Sequence, residues 1–311
     1  MLPLSTTALL FLIGYSSQRS GVCMLRAVRE VIERRRVHRL AGFTLAAAMA
    51  MVVMALAGLG GARPFAMIPG TAPDAIAVAG GVLFGLGSLL SGYCAMGTLA
   101  ALTAGDLSRM ATIAAMFAAA LLLGPEMSSA ALMLPPRAIA PSPLVGHAGV
   151  ALAVGGMLAV LATGYIHRRI GWRSPRGGWS PLIAMGLIGG ASGLLFAADR
   201  NWVYTSRIAD LAYGRSALTL AVWAGPLVLL AGMTIAAITG GMFRLRKGSR
   251  SDWARATSGG LLMGAGATLV PGGNDTMLFT GVTLLLPNLL LAYAAFVATL
   301  FAALMIRRAR G

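Results

Sequence analysis

Residues 80–99 read GGVLFGLGSLLSGYCAMGTL, and this stretch decides how the chain folds. It has the length and apolar character of a membrane-crossing helix, but glycines, serines and one of the two cysteines of the chain interrupt it. Small and polar residues lower helix propensity and remove apolar surface. Irregular backbone at membrane depth is tolerated only where it is buried in protein or lines a polar cavity. The stretch therefore predicts a broken helix beside an interior polar site.

The composition of the whole chain indicates a membrane protein. Of its 311 residues 58% are hydrophobic and only 11% are charged, and the mean hydropathy is +0.80. Apolar runs of about 20 residues recur along the chain, and each is long enough to cross a bilayer core of ~30 Å. We therefore predict an all-α polytopic integral membrane protein.

Basic residues give the chain a formal net charge of +16, and most of them fall in four clusters. The clusters are Arg26–Arg39, Arg168–Arg176, Arg244–Arg255 and Arg307–Arg310. Short cytoplasmic loops of membrane proteins carry such an excess of arginine and lysine. A nucleic-acid-binding protein would instead concentrate its charge on a soluble domain, and no segment here is long enough for one. The clusters therefore predict four cytoplasmic positions and exclude nucleic acid as a partner.

About nine membrane crossings connect these cytoplasmic positions. The predicted crossings are 1–25, 41–60, 75–104, 110–124, 144–166, 180–213, 216–239, 256–287 and 288–306. They place the N-terminus outside and the C-terminus in the cytoplasm, in a bacterial inner membrane, with the proline-rich residues 124–143 as an outer loop. Arg200, Arg207 and Arg215 do not fit this scheme, because they would lie near the outer side or inside a broken segment. Residues 16–21 break the first crossing, and the crossings 75–104, 180–213 and 256–287 are also interrupted, which predicts re-entrant loops around one interior site.

The broken segments form an internal repeat. When Gly80 is aligned with Gly259, GGVLFGLGSLLSGYCAMGTL faces GGLLMGAGATLVPGGNDTML, and four glycines coincide. A weaker match aligns LIGYSSQRSGVC (12–23) with LIGGASGLLFAA (187–198). Chance is the alternative, because glycine spacings of this kind are a common packing device in membrane helices. An odd number of crossings separates the two copies, so we predict two inverted repeats, as in many transporters. Residues 1–124 form the first, 180–311 the second, and 125–179 an outer loop, a linker helix and a cytoplasmic loop.

Two motifs around the cysteines resemble a known family. QRSGVCMLRAVRE (18–30) and GVLFGLGSLLSGYCAMGTL (81–99) resemble the cysteine loops of the YeeE/YedE family of sulfur-compound transporters. The resemblance implies nine membrane helices in two inverted halves, with loops that enter from both sides to form a narrow pore. It also implies that Cys23 and Cys94 line this pore and bind thiosulfate through S–H hydrogen bonds.

The second half of the chain departs from the family pattern. The family's thiosulfate transporter has a further cysteine there, whereas this chain has Gly273, Asn274 and Asp275 at the place that corresponds to Cys94. The departure leaves a small sulfur-containing anion, rather than thiosulfate itself, as the predicted class of substrate.

The predicted pore-lining residues come from three of the broken segments. They are Cys23, Cys94, Gln18, Arg19, Ser20, Gly21, Gly92, Gly97, Thr98, Gly272, Gly273 and Asn274. A neutral thiol is a weak donor with a soft, polarizable surface that suits a terminal sulfur. The alternative is that the cysteines only fill space, since free cysteines are often buried.

Two charged residues in these segments have open roles. Arg19 either attracts the anion through paired N–H groups or faces lipid headgroups at a helix end. Asp275 lies inside a predicted membrane segment, where burial of an acidic side chain costs free energy. An acid in this position therefore suggests a function. It either couples proton movement to transport or pairs with an arginine such as Arg19 or Arg200. Asn274 and the glycines before it present amides to the substrate.

Three functions compete at this point. The first is a transporter for a small sulfur-containing anion in the lipid bilayer, and the absence of a GxxxxGK[ST] motif argues against ATP hydrolysis by this chain. The second is a membrane sulfurtransferase with a persulfide on Cys94, which would need a base near the thiol. The third is a membrane component that delivers sulfur to a cytosolic carrier protein. We expect a transporter and not an enzyme, and no cofactor. We also expect no metal site, because no CxxC motif or histidine–cysteine cluster is present.

Overall fold

The computed structural model describes residues 3–133, 138–170, 178–198, 203–212, 214 and 220–310. In this part of the chain the regular structure is helical, with two isolated β-bridges and no strand. The helices are α1 Leu4–Ser20, α2 Met24–Arg34, α3 His38–Leu59, α4 Ala75–Ser91, α5 Ala95–Thr103, α6 Arg109–Met133, α7 Ala148–Ile170, α8 Pro181–Ala198, α9 Tyr204–Ala212, α10 Leu220–Thr239, α11 Arg250–Leu269, α12 Asn274–Thr276 and α13 Pro287–Arg310. A 3₁₀ turn spans Pro64–Ala66, and a π-helical segment, Met277–Val282, continues α12.

Several of these helices have the length and composition of membrane spans. Among the described residues five segments meet both conditions, of which the second comprises α4 and α5: His38–Leu59, Ala75–Thr103, Ala148–Arg169, Pro181–Ala198 and Pro287–Arg310. Two shorter apolar helices, Arg109–Gly124 and Trp223–Thr239, accompany them. The prediction of an all-α polytopic membrane protein is confirmed. The number of nine crossings stays a prediction.

The helices break where the sequence predicts it. Gly21, Gly92 and Gly272 have φ values of 64°, 82° and 127°, a region that side-chain-bearing residues rarely adopt. Glycine has no Cβ and enters this region at little cost, so it ends one helix and lets the chain turn into the next. The fourth predicted break, with Asp199, Arg200 and Asn201, lies outside the described residues, and so does Arg215.

Three helices begin or end at other residues than the predicted crossings do. Helix α1 ends at Ser20, within the predicted crossing 1–25, and the basic cluster that follows is largely a separate helix, α2, whose apolar side chains are mostly buried while its arginines are exposed. Helix α6 continues to Met133, so the outer loop begins after the predicted residue 124. Helix α11 begins at Arg250, inside the third basic cluster, because Ser249 and Asp252 form a capping box there.

The aligned glycines pack α4 against α11 in a reciprocal way. A Cβ on Gly87 would lie 2.6 Å from the carbonyl oxygen of Gly259, and a Cβ on Gly259 would lie 2.7 Å from that of Gly87. Gly80 and Gly266 approach each other in the same manner, at 3.1 and 2.7 Å. Because Gly80 is aligned with Gly259 and Gly87 with Gly266, these two contacts are the same contact with the two copies exchanged, as expected across a two-fold axis. The two helices therefore cross in opposite directions about a local two-fold axis.

The neighbouring contacts obey the same two-fold relation. A Cβ on Gly81 of α4 would collide with the carbonyl oxygen of Ala292 in α13, and one on Gly260 of α11 would collide with that of Thr112 in α6. Likewise α1 packs on α8 and α10, while α8 packs on α1 and α3. An axis perpendicular to membrane-crossing helices lies in the membrane plane, which is the geometry of inverted repeats. The repeat boundaries at 124 and 180 stay a prediction.

Candidate functional site

The two cysteines meet at the centre of the fold. Cys23 directly precedes α2 and Cys94 directly precedes α5, and both have extended backbone there. Their sulfur atoms lie 3.6 Å apart, and the two residues are 2% and 0% exposed. Because each cysteine stands at the start of a half-helix, the positive ends of both helix dipoles point at this region.

The first amides of the half-helices are satisfied by side chains of neighbouring loops. Met24 donates its N–H to Cys94 Sγ at 3.3 Å, and Ala95 donates its N–H to Asn274 Oδ1 at 3.2 Å. The first N–H groups of a helix have no partner within the helix, so they need acceptors from outside it. The broken segments of both halves are therefore interlocked through these hydrogen bonds.

A cavity of about 270 Å³ reaches this centre from one side. Gln18, Cys23 and Gly97 lie at its inner part, and α2, α5 and the segment after α10 form its walls. Gln18 Oε1 accepts a hydrogen bond from Thr103 at 3.2 Å. A Cβ on Gly97 would lie 2.7 Å from Cys23 Sγ, so this glycine provides the space that the Cys23 thiol occupies. Cys94 is not part of the cavity wall.

The cavity wall carries an excess of positive charge. Arg26, Arg244 and Arg246 line it together with one acid, Asp106. That carboxylate is already paired, because Asp106 Oδ2 lies 3.1 Å from Arg109 Nε. Backbone hydrogen bonds between residues 104–107 and 244–246 hold these arginines in place. The arginines come from two of the clusters that the sequence predicts to be cytoplasmic.

Tyr93 connects this charge to the cysteine loops. The guanidinium groups of Arg26 and Arg109 lie 5.2 and 5.1 Å from the centre of its ring, which are cation–π distances. Arg109 is buried and also donates to the carbonyl oxygen of Ser91 at 2.7 Å and to Ser108 Oγ at 2.9 Å. Arg109 therefore fixes the end of α4, and Tyr93 holds Arg26 at the cavity wall beside Cys23.

Sequence reasoning missed Arg26, Tyr93 and Arg109 as site residues. Arg26 and Tyr93 stand inside the two cysteine motifs, CMLR and SGYC, and this position was the available signal. The charge pattern predicts only a role in membrane orientation for Arg26. Arg39, also assigned to orientation, donates to the carbonyl oxygen of Gly21 at 2.8 Å and so supports the Cys23 loop.

Two predicted residues lie away from the cavity. Arg19 Nη2 donates to Tyr15 at 3.0 Å and to Thr239 Oγ1 at 3.2 Å, and its guanidinium lies over the Tyr15 ring. Ser20 Oγ donates to the carbonyl oxygen of Ser17 at 3.1 Å. Arg19 does not line the cavity, so Arg26 occupies the position that the sequence analysis gave to Arg19.

Two further predicted residues lie at the start of α5 and the end of α4. Thr98 is buried, and its N–H donates to the carbonyl oxygen of Cys94 at 2.8 Å. Its hydroxyl oxygen has no hydrogen-bond partner among the described residues. Gly92 supplies the left-handed turn after α4 and does not line the cavity.

The loop of the second half is held by hydroxyl groups. Gly273 donates its N–H to Thr205 Oγ1 at 2.8 Å, and Thr205 donates its proton to Asp275 Oδ1 at 2.6 Å. The predicted pairing of Asp275 with Arg19 is wrong, because the Arg19 guanidinium contacts Tyr15 and Thr239 instead. Arg200 lies outside the described residues. Asp275 Oδ2 is buried and has no hydrogen-bond partner in the described part of the chain.

Broken helices whose ends meet at a buried polar centre are typical of membrane transport proteins. The fold and the site therefore define a multi-pass membrane protein of the transporter class. A family model described as Sulphur transport matches residues 19–304, so the chain belongs to the YeeE/YedE sulphur-transport family. This membership supports the role of a sulfur-compound transporter, and it suggests a non-enzymatic role. A comparison with curated proteins gives no match.

Proposed function

We propose that the protein moves a small sulfur-containing anion, similar to thiosulfate, through a path between the Cys23 and Cys94 loops. The observation that carries the proposal is the pair of buried thiols, 3.6 Å apart, one of which, Cys23, lines an arginine-walled cavity. The path crosses a bacterial inner membrane, with the N-terminus outside and the arginine-lined cavity on the cytoplasmic side.

The arginines concentrate the anion near the path. The cavity wall carries positive charge at Arg26, Arg244 and Arg246. The electrostatic potential of such a wall raises the local concentration of an anion. Arg26 stands three residues after Cys23, so the attraction extends close to the thiols. The thiols themselves carry no positive charge. An anion that reaches them is therefore not trapped by a fixed ion pair and can leave again.

The centre offers weak donors and helix amides to the anion. Neutral thiols are weak S–H donors, and their polarizable surface suits a sulfur atom that hydrates poorly. The N–H groups of Met24 and Ala95 are bonded to a sulfur and to an amide oxygen, which are neutral acceptors. An anion is a stronger acceptor than either of them. We infer that the entering anion replaces these contacts and loosens the interlocked loops.

The second half of the chain contributes amide and carboxylate groups to the centre, whereas the first half contributes the more polarizable thiols. Asn274 stands where the family has a cysteine loop, and its amide nitrogen is suited to the oxygen atoms of the substrate. Asp275 is our candidate for proton coupling, because one of its carboxylate oxygens is buried without a partner in the described residues. An Asp275→Asn variant should then change the pH dependence of uptake, and an unchanged pH profile would remove this role.

Uptake into liposomes tests the proposal directly. Purified protein is reconstituted, and uptake of radiolabelled thiosulfate, sulfite and sulfate is compared for wild type, Cys23→Ser and Cys94→Ser. We expect each substitution to lower uptake of the sulfur-terminated anion while circular dichroism and thermal unfolding stay unchanged. Full uptake in both variants would refute a substrate role for the thiols.

A second function fits the same cavity. Because the cavity joins Cys23 to arginines of the predicted cytoplasmic side, a cytosolic sulfur-carrier protein could receive sulfur there. This alternative predicts that sulfur uptake requires the carrier inside the liposomes. Uptake that proceeds equally well without any soluble protein would favour the transporter alone.

A further inference from the structure

The Cys23 and Cys94 thiols are placed for a reaction with each other. They are the only cysteines of the chain, and they are close in space although 71 positions apart. A disulfide needs a sulfur–sulfur distance of about 2.05 Å, so the atoms at 3.6 Å must approach each other by about 1.5 Å. Each cysteine follows a glycine-containing turn, at Gly21 and Gly92, where small backbone movements are possible.

One of the two thiols is accessible to an anionic reactant. Cys23 lines the arginine-walled cavity, whereas Cys94 does not line it and is 0% exposed. A dianion that carries a sulfur–sulfur bond is attracted by Arg26, Arg244 and Arg246 in the same way as a sulfur-containing substrate. The pair therefore presents a first thiol to the cavity and a second thiol directly behind it.

We propose that the Cys23–Cys94 pair is an oxidation site for polythionates, the chain-like sulfur dianions, and that the resulting disulfide closes the path. The proposal rests on the proposed function, namely that sulfur-containing anions enter this cavity and pass between the two loops. It goes beyond that function, because the reactant modifies the protein and is not carried through it.

The reaction with tetrathionate balances in two exchange steps. The Cys23 thiol loses its proton, and its sulfur attacks a central sulfur of tetrathionate. One thiosulfate leaves with the electron pair of the broken sulfur–sulfur bond, and an S-sulfonate-terminated disulfide remains on Cys23. Cys94 then loses its proton and attacks Cys23 Sγ, a second thiosulfate leaves, and the protein disulfide forms. The two thiols are oxidised by two electrons, tetrathionate is reduced to two thiosulfates, and two protons go to solvent.

The disulfide joins the start of α2 to the start of α5. These are the loops that must separate when an anion passes, because the Met24 amide and the Cys94 sulfur are bonded across them. A covalent bond between the sulfurs removes both S–H donors and prevents this separation. A reductant such as dithiothreitol reverses the exchange and restores the two thiols.

The order of attack distinguishes the two cysteines. In the Cys94→Ser variant the first step still occurs, and the second step has no thiol. We expect this variant to retain one thiosulfate-derived S–SO₃ group on Cys23. In the Cys23→Ser variant the remaining thiol is away from the cavity wall, and we expect no adduct.

Mass spectrometry and uptake test the proposal together. Purified protein in detergent is exposed to tetrathionate or to the neutral oxidant diamide, and the intact mass and non-reduced peptides are measured. We expect tetrathionate to give the Cys23–Cys94 disulfide, at lower concentration than diamide because the arginines attract the dianion. Treated proteoliposomes should lose uptake and regain it after dithiothreitol.

Three results are decisive. Two free thiols after tetrathionate treatment, under conditions that fully modify the urea-unfolded protein, would overturn the proposal. A disulfide that forms without any loss of uptake would overturn the closure of the path. A disulfide in protein that shows no sulfur uptake even before treatment would contradict the proposed function, but it would support the oxidation site.

Discussion

Helix α5 lies against the Cys23 thiol at Gly97, and replacement of this glycine by alanine tests the geometry of the site. The added Cβ would lie 2.7 Å from Cys23 Sγ and 3.1 Å from Cys23 Cβ, whereas ordinary contact begins at 3.4 Å. The Cys23 sulfur must therefore move by about 0.7 Å or change its rotamer. Since Cys94 Sγ lies 3.6 Å from it, the movement changes the separation of the two thiols.

The effect on stability should be small compared with the effect on transport. Overpacking of a buried site costs about 1–3 kcal/mol, and alanine in place of a helical glycine returns about 0.5–1 kcal/mol. We expect the free energy of unfolding to fall by about 0–2.5 kcal/mol. The rate of uptake of the sulfur-containing anion should fall by more than this loss of stability explains, because the displaced thiol no longer lines the path in its original position.

The matched control is Gly186→Ala, on α8. A Cβ at this helical glycine would have no atom within 4 Å. Uptake into proteoliposomes and thermal unfolding in detergent are measured for both variants, together with disulfide formation in the presence of tetrathionate. Uptake and disulfide formation at wild-type levels in Gly97→Ala would refute the assignment of this glycine. Equal losses in the two variants would show that any added methyl group impairs the protein.

Three further predictions concern the charge, the repeat and the interlocked loops. Arg26→Gln should raise the KM for uptake about two- to fivefold and weaken its salt dependence, whereas Arg29→Gln, on the same helix but outside the cavity wall, should change neither. Gly87→Ala and Gly259→Ala should each lower the free energy of unfolding by about 1–3 kcal/mol, and so lower the unfolding temperature by similar amounts. A lower unfolding temperature in only one of them would contradict the two-fold packing. Asn274→Ala should destabilise the protein by about 1–3 kcal/mol, because the first amide of α5 loses its acceptor; unchanged thermal unfolding would contradict that role.

The broken helices could be predicted from the sequence because glycine leaves a distinct signal. Gly21, Gly92 and Gly272 stand where the chain needs left-handed backbone, and the aligned glycines of α4 and α11 stand where two backbones touch. Helix ends at basic clusters were harder to predict. Arginine has good helix propensity and also marks cytoplasmic loops, so the same residues were assigned to a loop although α2 is helical.

The site was predictable only in its central residues. Cys23 and Cys94 stood out because both follow a break and both match a family motif. Arg19 and Arg26 could not be distinguished by sequence, because each is close to Cys23 and only the turn at Gly21 decides which one faces the cavity. The role of Thr205 as the partner of Gly273 and Asp275 left no signal, since a single threonine next to a break is common.

The helices are related by the local two-fold axis, whereas the side chains at the centre of the fold are not. Ala95 is aligned with Asn274 in the repeat, and the two are in direct contact, so the local axis passes between them. Next to Ala95 in the chain is Cys94, whose thiol lies beside that of Cys23, whereas next to Asn274 is Asp275, whose carboxylate accepts from the hydroxyl of Thr205. Glycine contacts between backbones keep the helices symmetric, but they do not constrain the loop side chains at the axis. A substrate with a soft sulfur at one end and oxygen atoms at the other would therefore meet different partners at its two ends, and we expect it to pass the centre in one preferred orientation.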